Sequence, residues 1–474
     1  MHSKSSRKEE KSQAQKINTL FTNYKYGFHT DTKSKLVIPK GLNEKIVRQI
    51  SKIKEEPKWM TDYRVKAYKE FVKRPMPNFG PSLEGINFDD IHYYIRPQDK
   101  TQNKWEDVPA EIKETFDRLG IPEHEKRSLA GSGAQFESEM IYHSIKESLS
   151  KKGVIFDSID QGLKKYPELF KEYFGTIVPY DDNKFSALNS AVWSGGSFIY
   201  IPKNTYVDLP LQAYFRINTE SMGQFERTLI IADEGSFLHY IEGCTAPVYS
   251  KDSLHSAVVE IIVKKNAHVQ YTTVQNWSLN VYNLVTKRAY AYENAEMIWL
   301  DCNVGSKITM KYPSIYLVGD NSKGEIKSLA MAKDNQCQDT GGKIIHMGKN
   351  TTSKIIAKSI CKDHGNASYR GLLKATKSAR NSFNYSKCDA LILSPEARSD
   401  TIPKISIDDP TASIAHEASI FKIDDSQLFY LMSRGLPQDT AVSEIVNGFA
   451  NPIVSELPME YAIELKRLLE IETE

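Results

Sequence analysis

The sequence predicts a mainly β protein whose core is a β-solenoid, with helical regions at both ends. Short alternating or β-branched segments follow one another from about residue 186, separated by Gly, Asn and Asp. The turn-and-strand units that they form resemble one another. Patterns with a helical period precede residue 186 and return after residue 423.

The repeated units share a turn residue, a small residue and then a strand-like alternation. They are Gly235-Ser-Phe-Leu-His-Tyr240, Asn266-Ala-His-Val-Gln-Tyr271, Asn294-Ala-Glu-Met-Ile-Trp299, Asn350-Thr-Thr-Ser-Lys-Ile355, Asn366-Ala-Ser-Tyr-Arg-Gly371 and Asn381-Ser-Phe-Asn-Tyr-Ser386. A spacing of roughly fifteen to thirty residues is typical of a solenoid, in which each turn buries its apolar side against its neighbours. A β-sandwich or barrel is the alternative, but hairpin dipeptides such as Asn-Gly are nearly absent between these strands.

Individual elements follow from periodicity and from their end signals. Helices are predicted at residues 43–54, 59–72, 108–119 and 136–149. Strands are predicted at residues 197–201, 211–217, 227–232, 237–241, 258–263 and 268–274. Helices return at residues 426–434, 438–447 and 458–469, and Gly435 and Gly448 are the expected stop signals of the first two.

These elements divide the chain into four parts. We expect a flexible tail at residues 1–20, a mainly helical region at 21–185, a β core at 186–423 and a C-terminal helical domain at 424–474. Helical regions of this kind cover the open ends of a solenoid or present a docking face.

Composition argues against several classes of protein. The 62 basic and 60 acidic side chains give a net charge of only +2, which argues against nucleic-acid binding through a strong overall field. No apolar run approaches the ~20 residues of a membrane span, and the polar N-terminus resembles neither a secretory signal nor a transit peptide. The five cysteines are widely spaced without a C-x-x-C pair, so free thiols in a reducing compartment are favoured.

Common enzyme signatures fail in this chain. The segment Gly319-Asp-Asn-Ser-Lys-Gly324 is followed by Glu325 where a phosphate-binding loop needs Lys. His416-Glu417 lacks the second His of a zinc-protease helix, and there is no G-x-S-x-G elbow. If the function requires ATP, another subunit must hydrolyse it.

The remaining candidates for chemistry are thiols near polar groups. Cys244 lies in Glu242-Gly-Cys-Thr-Ala-Pro247, which is predicted to be a turn with an accessible sulfur; a small buried side chain is the alternative. Cys388 is predicted at the start of a strand, with His416 and Glu417 a turn or two later in the solenoid. A thiolate, an imidazole and a carboxylate suit iron, but neighbouring residues on a regular strand face opposite ways.

A third group contains Gln275, Trp277 and Lys287. Gln275 and Trp277 have the spacing of residues on one strand face, which Thr273 would share. A lysine in the position of Lys287 is more often solvated along its stem. If Lys287 pointed inward, it would need a partner and could hold a sulfur anion.

At these residues the chain resembles the SufB branch of the SufB/SufD family of the SUF iron–sulfur assembly system. The resemblance extends from about residue 24 to the C-terminus. It is carried by the Cys244 and Cys388 segments and by Ala187-Leu-Asn-Ser-Ala-Val-Trp-Ser-Gly-Gly-Ser-Phe-Ile-Tyr-Ile-Pro202, Tyr214-Phe-Arg-Ile-Asn218, Gly223-Gln-Phe-Glu-Arg-Thr228, Val274-Gln-Asn-Trp277, Val285-Thr-Lys-Arg288, Ala415-His-Glu-Ala418, Asn447-Gly-Phe449 and Glu456-Leu-Pro458.

The resemblance implies a right-handed parallel β-helix that serves as an assembly scaffold and is not itself an enzyme. Cys244 matches the position that accepts persulfide sulfur. The positions that line a path for that sulfur through the helix interior are matched by Arg216, Asn218, Gln275, Trp277 and Lys287. Cys388 and Glu417 match residues that build the nascent cluster, and His416 accompanies them. Relatives often have an acidic residue at the position of Ala415. The remaining thiols match no known site and are expected to be structural: Cys302, Cys337 and Cys361.

The resemblance also implies partners and cargo. These are a SufC-like ATPase docking on the C-terminal helices, a SufD-like sister subunit or a second copy, and a cysteine desulfurase with its sulfur carrier. The cargo is a nascent iron–sulfur cluster, expected to be [4Fe-4S], and some relatives bind reduced flavin (FADH2) in the complex. We expect a bacterial cytoplasm or, for a plastid-encoded chain, the stroma.

Two other functions remain to be separated from this one. A β-helix polysaccharide lyase or hydrolase needs clustered Asp, Glu or Arg on an exposed sheet. A SufD-like structural subunit without sulfur chemistry should tolerate the loss of both Cys244 and Cys388.

Overall fold

A computed structural model describes residues 34–98, 101–102, 104–110, 112–114, 129–246 and 252–473 of the 474-residue chain. The predicted tail at residues 1–20 and much of the predicted helix at 108–119 lie outside the described residues. Within them, no helix is both long enough and apolar enough to cross a membrane.

The part that precedes the solenoid mixes short helices and strands. In chain order its elements are β1 (Leu36–Val37), α1 (Glu44–Ile53), α2 (Lys58–Lys73), β2 (Ile95–Arg96), β3 (Gly131–Phe136), β4 (Glu139–Ile145), α3 (Glu147–Ser150), β5 (Ile155–Ser158), α4 (Ile159–Lys165), α5 (Pro167–Tyr173) and α6 (Lys184–Val192), with 3-10 turns at Phe88–Asp90 and Trp105–Asp107. The helices predicted at 43–54 and 59–72 are confirmed. The Asn43 side chain caps α1 by accepting a hydrogen bond from the Ile46 N–H.

The helix predicted at residues 136–149 is wrong, and the region 21–185 is therefore less helical than expected. Strands β3 and β4 form an antiparallel hairpin there, with Glu137 at φ 56° in the turn. Strand β3 also pairs in parallel with the strand that begins at Leu211. Backbone pairing with an existing sheet thus outweighed the local helical pattern, which is the usual way in which tertiary context overrides propensity.

The core is a β-solenoid of about eight turns. Its strands are β6 (Ser197–Ile201), β7 (Leu211–Arg216), β8 (Gly223–Gln224), β9 (Arg227–Ala232), β10 (Phe237–Thr245), β11 (Ser253–His255), β12 (Val258–Val263), β13 (His268–Trp277), β14 (Val281–Ala291), β15 (Glu296–Gly305), β16 (Ile308–Lys311), β17 (Ser314–Leu317), β18 (Lys323–Ala332), β19 (Cys337–His346), β20 (Thr352–Cys361), β21 (Asn366–Ala375), β22 (Phe383–Ile392), β23 (Arg398–Ile407) and β24 (Ser413–Lys422). The predicted parallel β-helix is confirmed, because the strands alternate between two facing sheets.

Strand order shows how the turns stack. One sheet has the order β24-β22-β20-β18-β15-β13-β10-β7-β3-β4, and the other β23-β21-β19-β16-β14-β12-β9-β6-β5. Pairing between consecutive solenoid turns is parallel, as in β10–β13 and β13–β15. The apolar core lies between the two sheets and holds side chains such as Ile230, Val269, Met297 and Ile355.

An asparagine ladder marks one corner of the solenoid. Asn266, Asn294, Asn321, Asn350 and Asn381 all have φ between 54° and 59°, the left-handed conformation that Asn tolerates better than most residues. Side-chain hydrogen bonds join Asn266 with Asn294, Asn321 with Asn350 and Asn350 with Asn381, over sequence separations of 28, 29 and 31 residues. The repeat seen in the sequence is therefore a full turn, and shorter intervals arise because the unit at residue 366 opens a strand of the other sheet.

Three helices follow the solenoid: α7 (Asp425–Ser433), α8 (Gln438–Val454) and α9 (Met459–Thr473). The prediction that Gly448 ends the second helix is wrong, because α8 continues for six more residues to Val454. Its buried face consists of Ala441, Val446, Ala450 and Ile453. The packing of that face against the core outweighs the small local cost of a glycine within a helix.

A buried ion pair fastens the N-terminal helices to the solenoid. Arg227 Nη2 lies 2.6 Å from Glu260 Oε2, and neither side chain is exposed. Glu260 also accepts hydrogen bonds from the backbone N–H groups of Gly175, Ile177 and Val178 at 3.0, 3.1 and 2.9 Å. The carboxylate thus accepts hydrogen bonds from backbone N–H groups of the loop between α5 and α6, which lack partners in regular secondary structure.

We predict that Glu260→Gln lowers the free energy of unfolding by about 3–5 kcal/mol, because it leaves the Arg227 guanidinium buried without a counter-charge. Urea unfolding followed by circular dichroism measures the change. Glu293→Gln, which removes the exposed partner of Lys265, is the control and should leave the midpoint unchanged. Equal effects of the two substitutions would contradict the role given to Glu260.

Candidate functional site

Side chains that face the solenoid interior form columns, because parallel strands pair in register and every second residue points inward. The acid column begins beside Cys244 and contains Glu242, Thr273, Asp301, Ser328, Ala357 and Cys388. The ring column contains Tyr240, Tyr271, Trp299, Ile326, Ile355, Ser386 and His416. A third column starts with Cys244 and continues through Gln275 and Asn303.

Cys244 lies within strand β10 and is completely buried, so the prediction of an accessible sulfur in a turn is wrong. Its neighbours Ile241 to Thr245 pair with β13, which continues the strand through the Gly243 position. Burial, with the nearby carboxylates of Glu242 and Glu226, raises the pKa of the Cys244 thiol well above its ordinary value. The thiol lies 3.7 Å from Glu242 Oε1, to which it donates.

Lys287 points inward and has the partner that an inward lysine needs. Its Nζ lies 3.2 Å from Asp301 Oδ1 and 2.5 Å from Thr273 Oγ1, and 4.7 Å from the centre of the Tyr271 ring. Lys311 Nζ lies 3.3 Å from the same Asp301 oxygen. Burial raises the pKa of Asp301, but the two lysines outweigh it and hold that pKa below its ordinary value.

Gln275 connects Lys311 to Cys244, and Asp301 connects Lys287 to Lys311. Its Oε1 accepts from Lys311 Nζ at 3.0 Å and from Asn283 Nδ2 at 2.9 Å, and its Nε2 lies 3.9 Å from Cys244 Sγ. Trp277 lies on the same strand face, with its ring 4.6 Å from that of His255. Gln275 and Lys287 therefore belong to the Cys244 site.

Arg216 and Asn218 lie elsewhere. Register pairs Cys244 with Phe215 and Thr245 with Arg216, so Arg216 is on the opposite strand face from the thiol. Arg216 Nη1 donates to Thr245 Oγ1 at 3.2 Å, and the Asn218 N–H donates to Glu137 Oε2 at 3.3 Å. The structure does not bring these two residues together with Cys244.

Cys388 lies in the middle of strand β22 and not at a strand start, as its sequence context predicted. Its Sγ is 3.7 Å from His416 Nε2 on the next turn. Burial raises the pKa of Cys388 to about 12, although a hydrogen bond with Tyr369 lowers it in part. Burial lowers the pKa of His416, so its imidazole is neutral and available as a ligand near pH 7. Beside the thiol is a cavity of about 10 Å³, enough for one water molecule.

Glu417 does not join this pair. Strand β24 is regular here, since Ser386 pairs with His416 and Lys387 with Glu417, and the two neighbours face opposite ways. The Glu417 carboxylate is exposed and accepts a hydrogen bond from the Tyr385 hydroxyl at 3.2 Å. Among the described residues, no three His, Cys, Asp or Glu side chains are arranged to hold a metal ion.

The other three cysteines lie outside both sites. Cys302 and Cys361 are buried, whereas Cys337 is partly exposed. Burial raises the pKa of Cys361 to about 12 and that of Cys337 to about 11.

The turn that carries His416 ends the solenoid. Strands β23 and β24 are the last strands of their sheets, and within the described residues nothing pairs with their outer edges. Large apolar side chains are exposed around them: Phe383, Ile402, Ile405, Ile407, Ile420 and Phe421. Uncovered strand edges with apolar side chains favour pairing with another chain.

Comparisons with known proteins agree with this architecture. Residues 215–449 match the family described as "SUF system FeS cluster assembly, SufBD core domain", and residues 44–213 match the "SufBD protein N-terminal region". The chain belongs to the SufBD family. Proteins from Staphylococcus saprophyticus and Staphylococcus haemolyticus are 56% identical to it, over 95% of this chain and 97% of theirs, and each is named an iron–sulfur cluster assembly SufBD family protein. A Staphylococcus aureus relative with the same name has the same identity and coverage.

Sequence reasoning missed several residues of the candidate site around Cys244. Glu242, Asp301, Lys311 and Asn283 are all buried around Cys244 and Gln275. The signal was present, because Glu242 and Asp301 each stand at an inward strand position like the residues that were named. The sequence alone does not show that these residues lie together. The strand register does, because it brings residues of different turns into one column.

We predict that the reaction of Cys388 with methyl methanethiosulfonate accelerates about tenfold per pH unit from about pH 7 to 9.5 without a plateau, because only the thiolate reacts and its pKa is about 12. Mass spectrometry of the Cys388 peptide measures the rate, and Cys388→Ser shows the background. A plateau below about pH 9 would contradict the raised pKa.

Proposed function

We propose that this chain is the SufB-type scaffold of a SUF complex, which accepts persulfide sulfur at Cys244 and builds a nascent iron–sulfur cluster at Cys388. The observation that carries the proposal is the position of both thiols inside one solenoid, joined by the acid column. Five turns separate Glu242 from Cys388 along that column, or roughly 24 Å at the usual strand spacing.

Sulfur acceptance is a transfer between thiols. The Cys244 sulfur attacks the outer sulfur of the donor's persulfide, a new S–S bond forms, and the donor's S–S bond breaks to release its thiolate. The Cys244 proton passes to Glu242, 3.7 Å away, and there is no net oxidation. A cysteine desulfurase and its sulfur carrier are the donors that this scheme requires.

The part of the interior next to Cys244 carries polar side chains that could hold sulfur species or water. Thr273, Asp301 and Ser328 line the first part of the acid column. Asp301 Oδ2 and both amide atoms of Asn303 are buried without a hydrogen-bond partner among the described residues. Buried polar atoms of this kind are usually satisfied by an internal water or a ligand.

Cluster building at Cys388 needs iron, electrons and more ligands than one chain supplies. Cys388 contributes a soft thiolate and His416 an imidazole. Reduction of each sulfane sulfur to sulfide takes two electrons from an external reductant, for which reduced flavin in the complex is the candidate. The cavity beside Cys388, about 10 Å³, is too small for a flavin.

Partners complete the site and supply energy. The uncovered edges of β23 and β24 fit a SufD-like sister subunit, or a second copy, that continues both sheets. Glu417, exposed on β24, would act from this outer face together with the partner. A SufC-like ATPase is assigned to the C-terminal helices, where Phe429, Tyr430 and Met432 are exposed on α7. The expected setting is a reducing bacterial cytoplasm.

We predict that Cys388→Ala abolishes cluster formation while the complex with the sister subunit and ATPase still forms. The buried side chain becomes slightly smaller, so packing changes little, but the soft ligand is lost. Iron and acid-labile sulfide are measured after anaerobic reconstitution, with Cys361→Ala as the matched buried control. Unchanged iron and sulfide in Cys388→Ala would refute the assignment.

We predict that Cys244→Ala removes the persulfide that the desulfurase and its carrier load onto the chain. Mass spectrometry of the intact complex counts the added sulfur atoms, and Cys302→Ala serves as the buried control. An unchanged number of added sulfur atoms in Cys244→Ala would refute the sulfur-accepting role. A SufD-like structural subunit would tolerate both this substitution and Cys388→Ala, so the pair of experiments also separates that alternative.

A further inference from the structure

The orientation of the Gln275 amide is fixed by its neighbours. Lys311 Nζ and Asn283 Nδ2 lie 3.0 and 2.9 Å from Gln275 Oε1, and both are donors. Only a carbonyl oxygen can accept from both at once. The amide nitrogen must therefore face Cys244 Sγ, 3.9 Å away, with an N–H directed at the sulfur.

Asn283 is itself held in one orientation. Its Nδ2 also lies 3.3 Å from Thr309 Oγ1, while His255 Nδ1 lies 2.7 Å from its Oδ1. Both ring nitrogens of His255 face oxygen atoms, Nδ1 that of the Asn283 amide and Nε2 that of the Glu226 carboxyl group. The chain from Glu226 through His255 and Asn283 to Gln275 is buried throughout, so no solvent competes for these groups.

Lys311 adds charge as well as a hydrogen bond. It lies near the thiol, since Lys311 and Lys287 both favour the thiolate of Cys244 against the opposing effects of burial and the carboxylates. Burial lowers the pKa of Lys311 to about 8, so the cation and the neutral amine both occur near neutral pH. Either form donates an N–H to Gln275.

We propose that Lys311 and Asn283 are positioning residues for the sulfur-accepting thiol: they hold the Gln275 amide so that its N–H stabilises the terminal sulfur anion of a persulfide on Cys244. This inference deepens the proposed function and rests on it. A flipped amide would place its carbonyl oxygen against that anion. Both residues donate to the Gln275 carbonyl oxygen and position the amide in this way, and Lys311 adds the attraction of its charge.

The test measures the acidity of the persulfide itself. The chain in its assembled complex is loaded on Cys244 with inorganic polysulfide, and the near-ultraviolet band of the persulfide anion is titrated with pH against a Cys244→Ala reference. In Lys311→Met the midpoint should rise by about one pH unit, a tenfold weaker hold on the anion. Asn283→Asp, which replaces the donor by a carboxylate oxygen, should shift it in the same direction. Lys311→Arg should restore most of the effect.

A double-substitution cycle separates positioning from simple charge. In a Gln275→Leu background, the shift that Lys311→Met adds should fall to the part that comes from its charge alone, clearly below the shift in the wild-type background, because its target amide is gone. Lys327→Met, on the outer face, should change nothing. An unshifted midpoint in both Lys311→Met and Asn283→Asp, or the full shift in the Gln275→Leu background, would overturn the proposal. Failure of the desulfurase to load wild-type Cys244 would instead refute the proposed function, since the polysulfide titration does not depend on that enzyme.

Discussion

Parallel stacking in a fixed register is the constraint on which the rest of this structure depends. A side chain that faces inward on one turn lies under an inward side chain of the next, as Glu242, Thr273 and Asp301 do. A slip of one residue would exchange the inner and outer faces of a strand. The backbone ladder and its asparagine corner thus place Cys244 and Cys388 in one interior, although 144 residues separate them in the sequence.

The interior carries charges that folding alone does not require. Lys287, Lys311, Asp301 and Glu242 are all buried, and each would be strongly destabilising without a partner. Asp301 compensates both lysines, and the rings of Tyr271 and Trp299 lie 4.7 and 5.7 Å from Lys287 Nζ. Apolar side chains of similar volume often replace buried ion pairs without loss of stability. Buried charge clusters of this kind are typical of functional sites, which agrees with the function proposed for the neighbouring thiol.

Sequence reasoning predicted the fold class from local signals, since turn residues, strand alternation and helix caps act over a few residues. The prediction failed where contacts with distant segments of the chain determine the local structure. The hairpin at Gly131–Ile145 forms because β7 offers it a pairing edge, and α8 continues past Gly448 because its apolar face is covered. The burial of Cys244 was not predicted either. Gly243 suggested a turn there, but the strand that contains Cys244 stays paired with both neighbouring strands. For the same reason, Lys311 could not be linked to Gln275, 36 residues away, before the register was known.

Both thiols are protonated at rest, and this has a chemical consequence. Burial raises the pKa of Cys244 and of Cys388, so neither is a thiolate at neutral pH. Each has a proton acceptor within 3.7 Å, Glu242 for Cys244 and the neutral His416 imidazole for Cys388. A protonated, buried thiol resists oxidation and stray metal ions, which require the thiolate. In the proposed function, sulfur transfer at Cys244 and metal binding at Cys388 would each release that proton, so each thiol would react only with its partner beside it. Burial therefore keeps both thiols protonated and protected in the absence of a partner.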